Sequence, residues 1–146
     1  LYCGAGTLSL FLAEHAGRVV GIESEAPSVE LARRNAEKNG VENVQFYTGR
    51  VRERIDEVID THGHPDVVIC DPPRPGLHKQ VTRLLEDLEV DRFVYVSCNP
   101  QTQARDLKRM KRSYEAAFVQ PVDQFPHTPH IETVALLRPL ARGPLA

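Results

Sequence analysis

Cys98 and Glu132 are the two side chains in this sequence best suited to bond-making chemistry. Cys98 stands in Ser97-Cys98-Asn99-Pro100, directly after the apolar run Phe93-Val94-Tyr95-Val96. A strand ending at Ser97 leaves the thiol in a polar turn, with a helix starting just beyond it. Positive partial charge at a helix N-terminus favours thiolate, the reactive form. Cys3 and Cys70 sit in apolar stretches and read as small core residues. Glu132 lies in His130-Ile131-Glu132-Thr133-Val134-Ala135-Leu136-Leu137. Alternation along a strand puts it on one face with Val134 and Leu136. A carboxylate among apolar side chains has a raised pKa, which suits a general base. Taken alone, an exposed strand-end acid is the plainer reading of Glu132.

A second set of residues points to a ligand. Gly4-Ala5-Gly6 falls between the end of a first strand and a helix, where ligands bind in doubly wound sheets. Glu23 closes the next strand, where a carboxylate can accept both hydroxyls of a ribose. A dinucleotide is one candidate, but the third glycine of Gly-x-Gly-x-x-Gly is absent, because position 9 is Ser. A nucleoside ligand such as S-adenosylmethionine fits the turn better. A tight turn followed by a solvated Glu is the alternative. Asp71-Pro72-Pro73-Arg74 ends a later strand, and its two prolines make a rigid turn that aims the acid into a cleft. A related turn with an aromatic fourth residue grips an exocyclic amine. Arg74 in that place argues against adenine-amine methylation. A plain strand stop is the other reading.

His127 and His130 flank Thr128-Pro129 beside Glu132. With no third strong ligand they predict no metal site, and they read as pocket-shaping or loop-holding residues. Arg105, Lys108, Arg109, Lys111 and Arg112 crowd the segment after Cys98, opposed only by Asp106. Such a helix can take phosphates, or it can be a solvated face, and the sequence leaves both open.

The elements that position these groups alternate. Strands are expected at 1–3, 18–23, 44–48, 66–71, 92–97, 114–122 and 131–137. Helices are expected at 7–16, 28–39, 51–59, 77–88 and 102–112. Alternation of this kind predicts an α/β fold with a mostly parallel sheet and helices on both faces. The last two strands lack a helix between them and are expected to pair antiparallel at the edge. One domain over 1–138 and a tail over 139–146 are expected. Leu1 is not a methionine and meets a glycine turn at once, which reads as a fragment beginning in or just after a strand.

Bulk properties exclude some classes. A formal net charge of −2 over 146 residues is not that of a polycation, so nucleic-acid affinity must come from a local patch or from sequence outside this chain. No apolar run approaches the roughly 20 residues of a membrane-spanning helix. No Cys-x-x-Cys occurs among the three cysteines, so neither a disulfide framework nor structural zinc is expected. A reduced, cytoplasmic setting fits.

Four motifs, in order, are similar to those of the RNA 5-methyluridine (uracil-C5) methyltransferase family. They are Leu1-Tyr2-Cys3-Gly4-Ala5-Gly6-Thr7, Asp71-Pro72-Pro73-Arg74-Pro75-Gly76, Tyr95-Val96-Ser97-Cys98-Asn99-Pro100 and Phe125-Pro126-His127-Thr128-Pro129-His130-Ile131-Glu132. The resemblance runs from Leu1 to about Arg138 and implies a Rossmann-like, S-adenosylmethionine-dependent methyltransferase. It implies cofactor contacts from Tyr2, Gly4, Gly6, Thr7, Glu23 and Asp71, the last at the junction with substrate. It implies substrate contacts from Asp71, Pro72, Arg74, Asn99 and His127, with Cys98 as nucleophile and Glu132 as base. The implied partner is RNA, with no membrane and no obligate protein partner. Thr7, where many members have Asn, points to a branch acting on ribosomal RNA, the 23S molecule, ahead of transfer RNA. Pro129 replaces a more usual Gly or Thr. The family's upstream segments, often an OB-like RNA-binding domain and in some members an iron–sulfur cluster, are not in this chain.

The implied chemistry accounts for the residue types. Carbon 5 of uracil is a poor nucleophile until a thiolate adds at carbon 6. A target base within folded RNA must first be splayed out. A cytosine-C5 enzyme is a rival, although its cysteine usually sits in another motif. A methyltransferase-like RNA-binding module without catalysis is a second rival.

Overall fold

The computed structural model describes residues 1–140, so the expected tail lies, from residue 141 onward, outside the described residues. The chain forms two compact units, Leu1–Gly63 and His64–Ala146.

In the first unit the order is α1 (Thr7–Ala13), β1 (Val19–Glu23), α2 (Ala26–Lys38), β2 (Val44–Thr48) and α3 (Val51–His62). β1 and β2 pair in parallel, Val19 with Val44 through Glu23 with Thr48. The expected first strand is reduced to its hydrogen bonds: Tyr2 and Cys3 both donate their N–H to the Ile22 carbonyl, at 2.8 and 3.2 Å. α2 buries Val29, Ala32 and Ala36 at helical spacing against Phe46 of β2. Leu31, next to Ala32 on the same helix, is exposed. Gly6 is packed so closely that a Cβ there would meet the Ala32 Cβ and the Phe46 ring at 2.9 Å, and its φ of +82° is itself left-handed. The glycine turn is thus pressed onto α2 and β2, and Asn35 of α2 donates to the Ala5 carbonyl at 3.0 Å.

The second unit runs β3 (Val67–Cys70), α4 (Lys79–Leu88), β4 (Arg92–Ser97), α5 (Pro100–Met110), β5 (Tyr114–Val122) and β6 (Glu132–Pro139). Its sheet order is β3-β4-β6-β5. β3 and β4 are parallel, and β6 is antiparallel to both β4 and β5. The antiparallel pair lies at the edge as expected, with β5 outermost and the last strand, β6, one place in. β6 alternates cleanly: Thr133, Ala135 and Leu137 are buried, and Glu132, Val134 and Leu136 are half-buried. β5 buries only Tyr114 and carries a bulge between Ala116 and Phe118, as an outer strand with one open side does. β6 continues through Pro139, and Leu140 donates its N–H to the Ser113 carbonyl at 2.8 Å. The ordered chain therefore extends past residue 138.

Phe93 and Tyr95 of β4 are fully buried, and Phe93 meets Tyr114 edge-on at 5.9 Å. The Tyr114 hydroxyl donates to the Leu85 carbonyl at 3.0 Å and accepts from the Val90 N–H at 2.9 Å. It thereby locks the turn that ends α4, where Glu89 has a positive φ. Tyr114→Phe would leave the Val90 N–H buried and unpaired, which costs about 1–3 kcal/mol. Urea unfolding is expected to show a lower midpoint with an unchanged slope. An unchanged midpoint would mean that the hydroxyl contributes nothing to holding this turn.

Candidate active site

In the first unit, Glu23 ends β1 and reaches back to the glycine turn. Its Oε2 accepts from the Gly4 N–H at 3.0 Å, and its Oε1 accepts from the Glu25 N–H at 2.9 Å and the Ser24 hydroxyl at 3.0 Å. Partial burial works to raise the carboxyl pKa, but these donors outweigh it and hold Glu23 below the ordinary glutamate range. An ionised carboxylate has about four lone-pair sites, so acceptor capacity remains for ligand hydroxyls. Tyr2 has a left-handed φ of 60°, and Gly4 and Gly6 are left-handed as well. Thr7 opens α1 and is exposed.

In the second unit, the β4–β6 pairing decides the geometry. Ser97 stands opposite Thr133. One residue further on each strand brings Cys98 and Glu132 to the same end of the pair. Both line a cavity of about 180 Å³ together with Arg74, Phe125 and His130. The Glu132 carboxyl is pushed up, first by desolvation and then by the negative charge of Asp71, with His130 pulling the other way. The upward shift expected of this carboxyl is present, and its causes are burial and a neighbouring acid. Asp71, at the end of β3, is also raised, by desolvation. A larger cavity of about 290 Å³, lined by Leu107, Met110, Tyr114 and Leu137 among others, has no cysteine in its lining.

The strand ends are held from behind by α5. Gln103, 3% exposed, donates to the Tyr95 carbonyl at 2.9 Å, and its Oε1 accepts from the Thr133 hydroxyl at 2.9 Å. One side chain therefore ties β4 to β6 within a few residues of both Cys98 and Glu132. Asn99 caps α5, its Oδ1 accepting from the Gln101 and Thr102 N–H groups at 3.1 and 3.4 Å. A substrate contact through Asn99 thus falls to its amide NH2.

His127 sits exposed in a left-handed turn with φ 67°, and it is His130 that lines the cavity. Thr128 closes that turn onto the Phe125 carbonyl through its hydroxyl at 2.7 Å, which places position 130 differently from position 127. Arg105 is exposed and Arg109 half-buried, and each combines contact with solvent and an inward partner. Both turn to the fully buried carboxylate of Asp106, at 3.0 and 2.9 Å, while Lys108, Lys111 and Arg112 remain exposed. Among the described residues, no three His, Cys, Asp or Glu side chains gather as a metal site. Phe125 stands in the fourth motif and Asp106 among the cations, but the motifs assign a role to neither, and they do not single out Gln103 at all. The only sequence signals were an aromatic before Pro126 and a lone acid among cations.

The family model described as tRNA (Uracil-5-)-methyltransferase matches residues 1–139. An uncharacterised RNA methyltransferase of Bacteroides thetaiotaomicron is 48% identical over 138 residues, covering 94% of this chain and 30% of that protein. One of Caldanaerobacter subterraneus is 47% identical with the same coverage. The crystal structure of Pyrococcus abyssi tRNA (uracil-54, C5)-methyltransferase in complex with S-adenosyl-L-homocysteine superimposes with a TM-score of 0.81 and 40% identity. That match covers 93% of this chain and 32% of the other. A Streptococcus thermophilus rRNA methylase, 17% identical with a TM-score of 0.69 over 94% of this chain and 82% of that one, shares the fold. The chain spans about 30% of the length of the curated relatives it matches.

The Glu23 network predicts a pH-dependent stability. A native carboxyl below its ordinary value of 4.5 stabilises the fold fully above that value, and the contribution is lost as pH falls through the native pKa. Glu23→Gln is expected to lower the urea midpoint at neutral pH, with the gap from wild type closing as the native carboxyl protonates. A gap that persists unchanged into acid would show that the carboxylate charge is irrelevant to the turn.

Proposed function

The chain belongs to the tRNA (uracil-5-)-methyltransferase family, and from that premise we propose that it methylates carbon 5 of a uridine in RNA, with Cys98 as nucleophile and Glu132 as base. The observation that carries this reading is the pairing of Cys98 and Glu132 at one end of β4 and β6, in a cavity they share with Arg74.

S-adenosylmethionine is the methyl donor in this reading, and the residues of the first unit fit it. Glu23 presents an oriented carboxylate suited to two ribose hydroxyls, and the glycine turn gives the ligand close access to backbone N–H groups. Tyr2 and Thr7 complete the cofactor contacts, and Asp71 of the second unit is assigned to the junction with substrate. When bound, the donor supplies an electrophilic methyl group on a sulfonium, which carbon 5 of the base accepts.

Cys98 prepares that carbon. Its thiolate adds to carbon 6 of uracil, the carbon 5–carbon 6 double bond opens, and electron density collects on carbon 5 and the adjoining carbonyl oxygen. After carbon 5 has gained the methyl group it still carries its proton. Glu132 takes that proton, the double bond re-forms, and the carbon 6–sulfur bond breaks to return Cys98 as thiolate. A base with a raised pKa holds an abstracted proton better than an ordinary carboxylate. Arg74, exposed at the cavity, is placed to receive a uracil carbonyl or the adjoining phosphate. Pro72 stiffens the turn that carries it. Phe125 offers a flat apolar face to a splayed base. Asn99 and His127 are assigned to the surrounding RNA.

Ribosomal RNA is the substrate we favour, on the Thr7 form of the first motif. Transfer RNA is the second reading, favoured by the 40% identity to the Pyrococcus abyssi tRNA enzyme. A reduced cytoplasmic setting is the corresponding proposal for location. The full-length protein incubated with the donor and 5-fluorouridine-substituted ribosomal or transfer RNA tests both. Fluorine at carbon 5 blocks proton removal, so a covalent band on a denaturing gel is expected with the true RNA, and Cys98→Ala should abolish it. A band that survives Cys98→Ala would remove Cys98 as nucleophile. Methylation unaffected by that substitution would remove the mechanism. No band with either RNA, and no methylation, would favour a binding module without catalysis.

Glu132→Gln is expected to form the adduct with ordinary uridine RNA but to release it about 10²–10⁴-fold more slowly. The covalent complex would then accumulate without fluorine. For the wild type, kcat/KM should rise with pH through a midpoint above the ordinary glutamate value of 4.5, because the base must be unprotonated. Release by Glu132→Gln at the wild-type rate would assign proton removal elsewhere.

A further inference from the structure

We propose that Asp106 is a positioning residue for the RNA substrate, acting through the loop that carries Arg74; the inference rests on the substrate role given to Arg74 above. Asp106 is fully buried and does not line the cavity.

What it holds is the backbone beside Arg74. Its Oδ2 accepts from the Leu77 N–H at 2.7 Å and from the Tyr95 hydroxyl at 2.9 Å. Tyr95 lies on β4, three residues before Cys98. One oxygen atom is therefore tied both to the Arg74 loop and to the strand that ends in the nucleophile. Its Oδ1 accepts from Arg105 and Arg109. Those two cations continue the clamp: Arg105 donates to the Pro75 carbonyl at 2.6 Å and Arg109 to the Leu77 carbonyl at 3.4 Å. The Thr102 hydroxyl, one turn earlier on α5, donates to the Arg74 carbonyl at 3.0 Å.

The fit leaves no slack. Gly76 has φ +79°, and a Cβ there would stand 2.4 Å from Asp106 Oδ2. The backbone from 74 to 77 is thus gripped at residues 74, 75 and 77, and position 76 has no room for a side chain. The Arg74 side chain, by contrast, is exposed at the cavity with Cys98 and Glu132. A rigid base under a free cationic head is the arrangement that pre-sets where a substrate oxygen is received. Buried carboxylates are unfavourable unless paired and fully hydrogen-bonded. This one is satisfied by groups whose common effect is to fix Arg74 relative to β4.

The test uses the full-length protein with Asp106→Asn and Gly76→Ala, each alone and combined with Arg74→Ala. Gly76→Ala disturbs the same contact from the loop side, its Cβ also meeting the Arg105 guanidinium at 2.9 Å, while leaving the Asp106 carboxylate itself in place, so it decides the matter where Asp106→Asn fails to fold. Each is expected to lower kcat/KM for RNA methylation about 100-fold, the scale of a 1 Å misplacement. In the Arg74→Ala background the further loss should shrink to under about threefold, because the effect runs through Arg74. Amide hydrogen exchange should accelerate at Leu77 while the β4 and β6 amides stay protected. A loss that is undiminished when Arg74 is already alanine would reduce Asp106 to a stabiliser of the fold and overturn the proposal. Unchanged exchange at Leu77 would do the same, without reference to any activity. If Arg74→Ala alone leaves kcat/KM at the wild-type value, the substrate role of Arg74 and the positioning role of Asp106 both fall, while a covalent Cys98 adduct would still stand.

Discussion

The second unit is organised around a carboxylate that water cannot reach. Moving an ion of this size into a low-dielectric interior costs several kcal/mol even after relaxation. Asp106 is tolerated because α5, β4 and the loop after β3 all supply donors to it. Cys98 lies in the turn between β4 and α5, and Arg74 in the loop after β3. The requirement to satisfy one buried charge is therefore also a requirement on the relative placement of a thiol and a cationic side chain. The burial that forces these bonds also pushes the Tyr95 hydroxyl pKa upward, next to the Asp106 charge, so Tyr95 stays a hydrogen-bond donor throughout the accessible pH range.

α5 does this from one face. Asn99, Thr102, Gln103 and Asp106 recur at helical spacing. Asn99 caps the helix, Thr102 and Asp106 hold the Arg74 loop, and Gln103 spans β4 and β6. Polar side chains on an inward helix face are usually a liability. Here each finds a backbone or side-chain partner, and no buried side-chain nitrogen or oxygen among the described residues lacks one. A satisfied buried network specifies geometry more sharply than apolar contact does, because a shift of a few tenths of an ångström breaks a hydrogen bond and leaves dispersion contacts nearly intact.

The first unit solves a similar problem with a shorter network. Glu23 reaches back along the sheet to the Gly4 N–H, and Asn35 reaches from α2 to the Ala5 carbonyl. The turn between them has no helix long enough to stiffen it, since α1 has only 7 residues. Its shape is set by two side-chain bonds and by the lack of space for a Cβ at Gly6. The same carboxylate joins this turn to the segment after β1, through the Gly4 and Glu25 N–H groups.

Much of this was legible in the sequence. The strands 44–48, 92–97 and 114–122 follow directly from apolar runs and turn residues, since both are local properties of the chain. The four motifs, their order, and the identities of Cys98, Glu132, Glu23 and Arg74 needed no fold to be read. What local pattern could not convey was direction. Arg105 and Arg109 look identical in type and spacing to the exposed Lys108 and Arg112. Only packing against residues 75–77, some 30 positions away, gives the first two a buried carboxylate and backbone carbonyls as partners, Arg105 while it stays exposed. The choice of His130 over His127 depends on a turn closed by Thr128, and the recruitment of Phe125 depends on the cavity that results. The sequence by itself determined which groups are chemically able. The tertiary structure decided which of them meet, because the β4–β6 register and the burial of Asp106 are set by contacts between residues far apart in the chain, from 29 positions for Leu77 and Asp106 to 44 for Phe93 and Leu137, which no period of two or of 3.6 can encode.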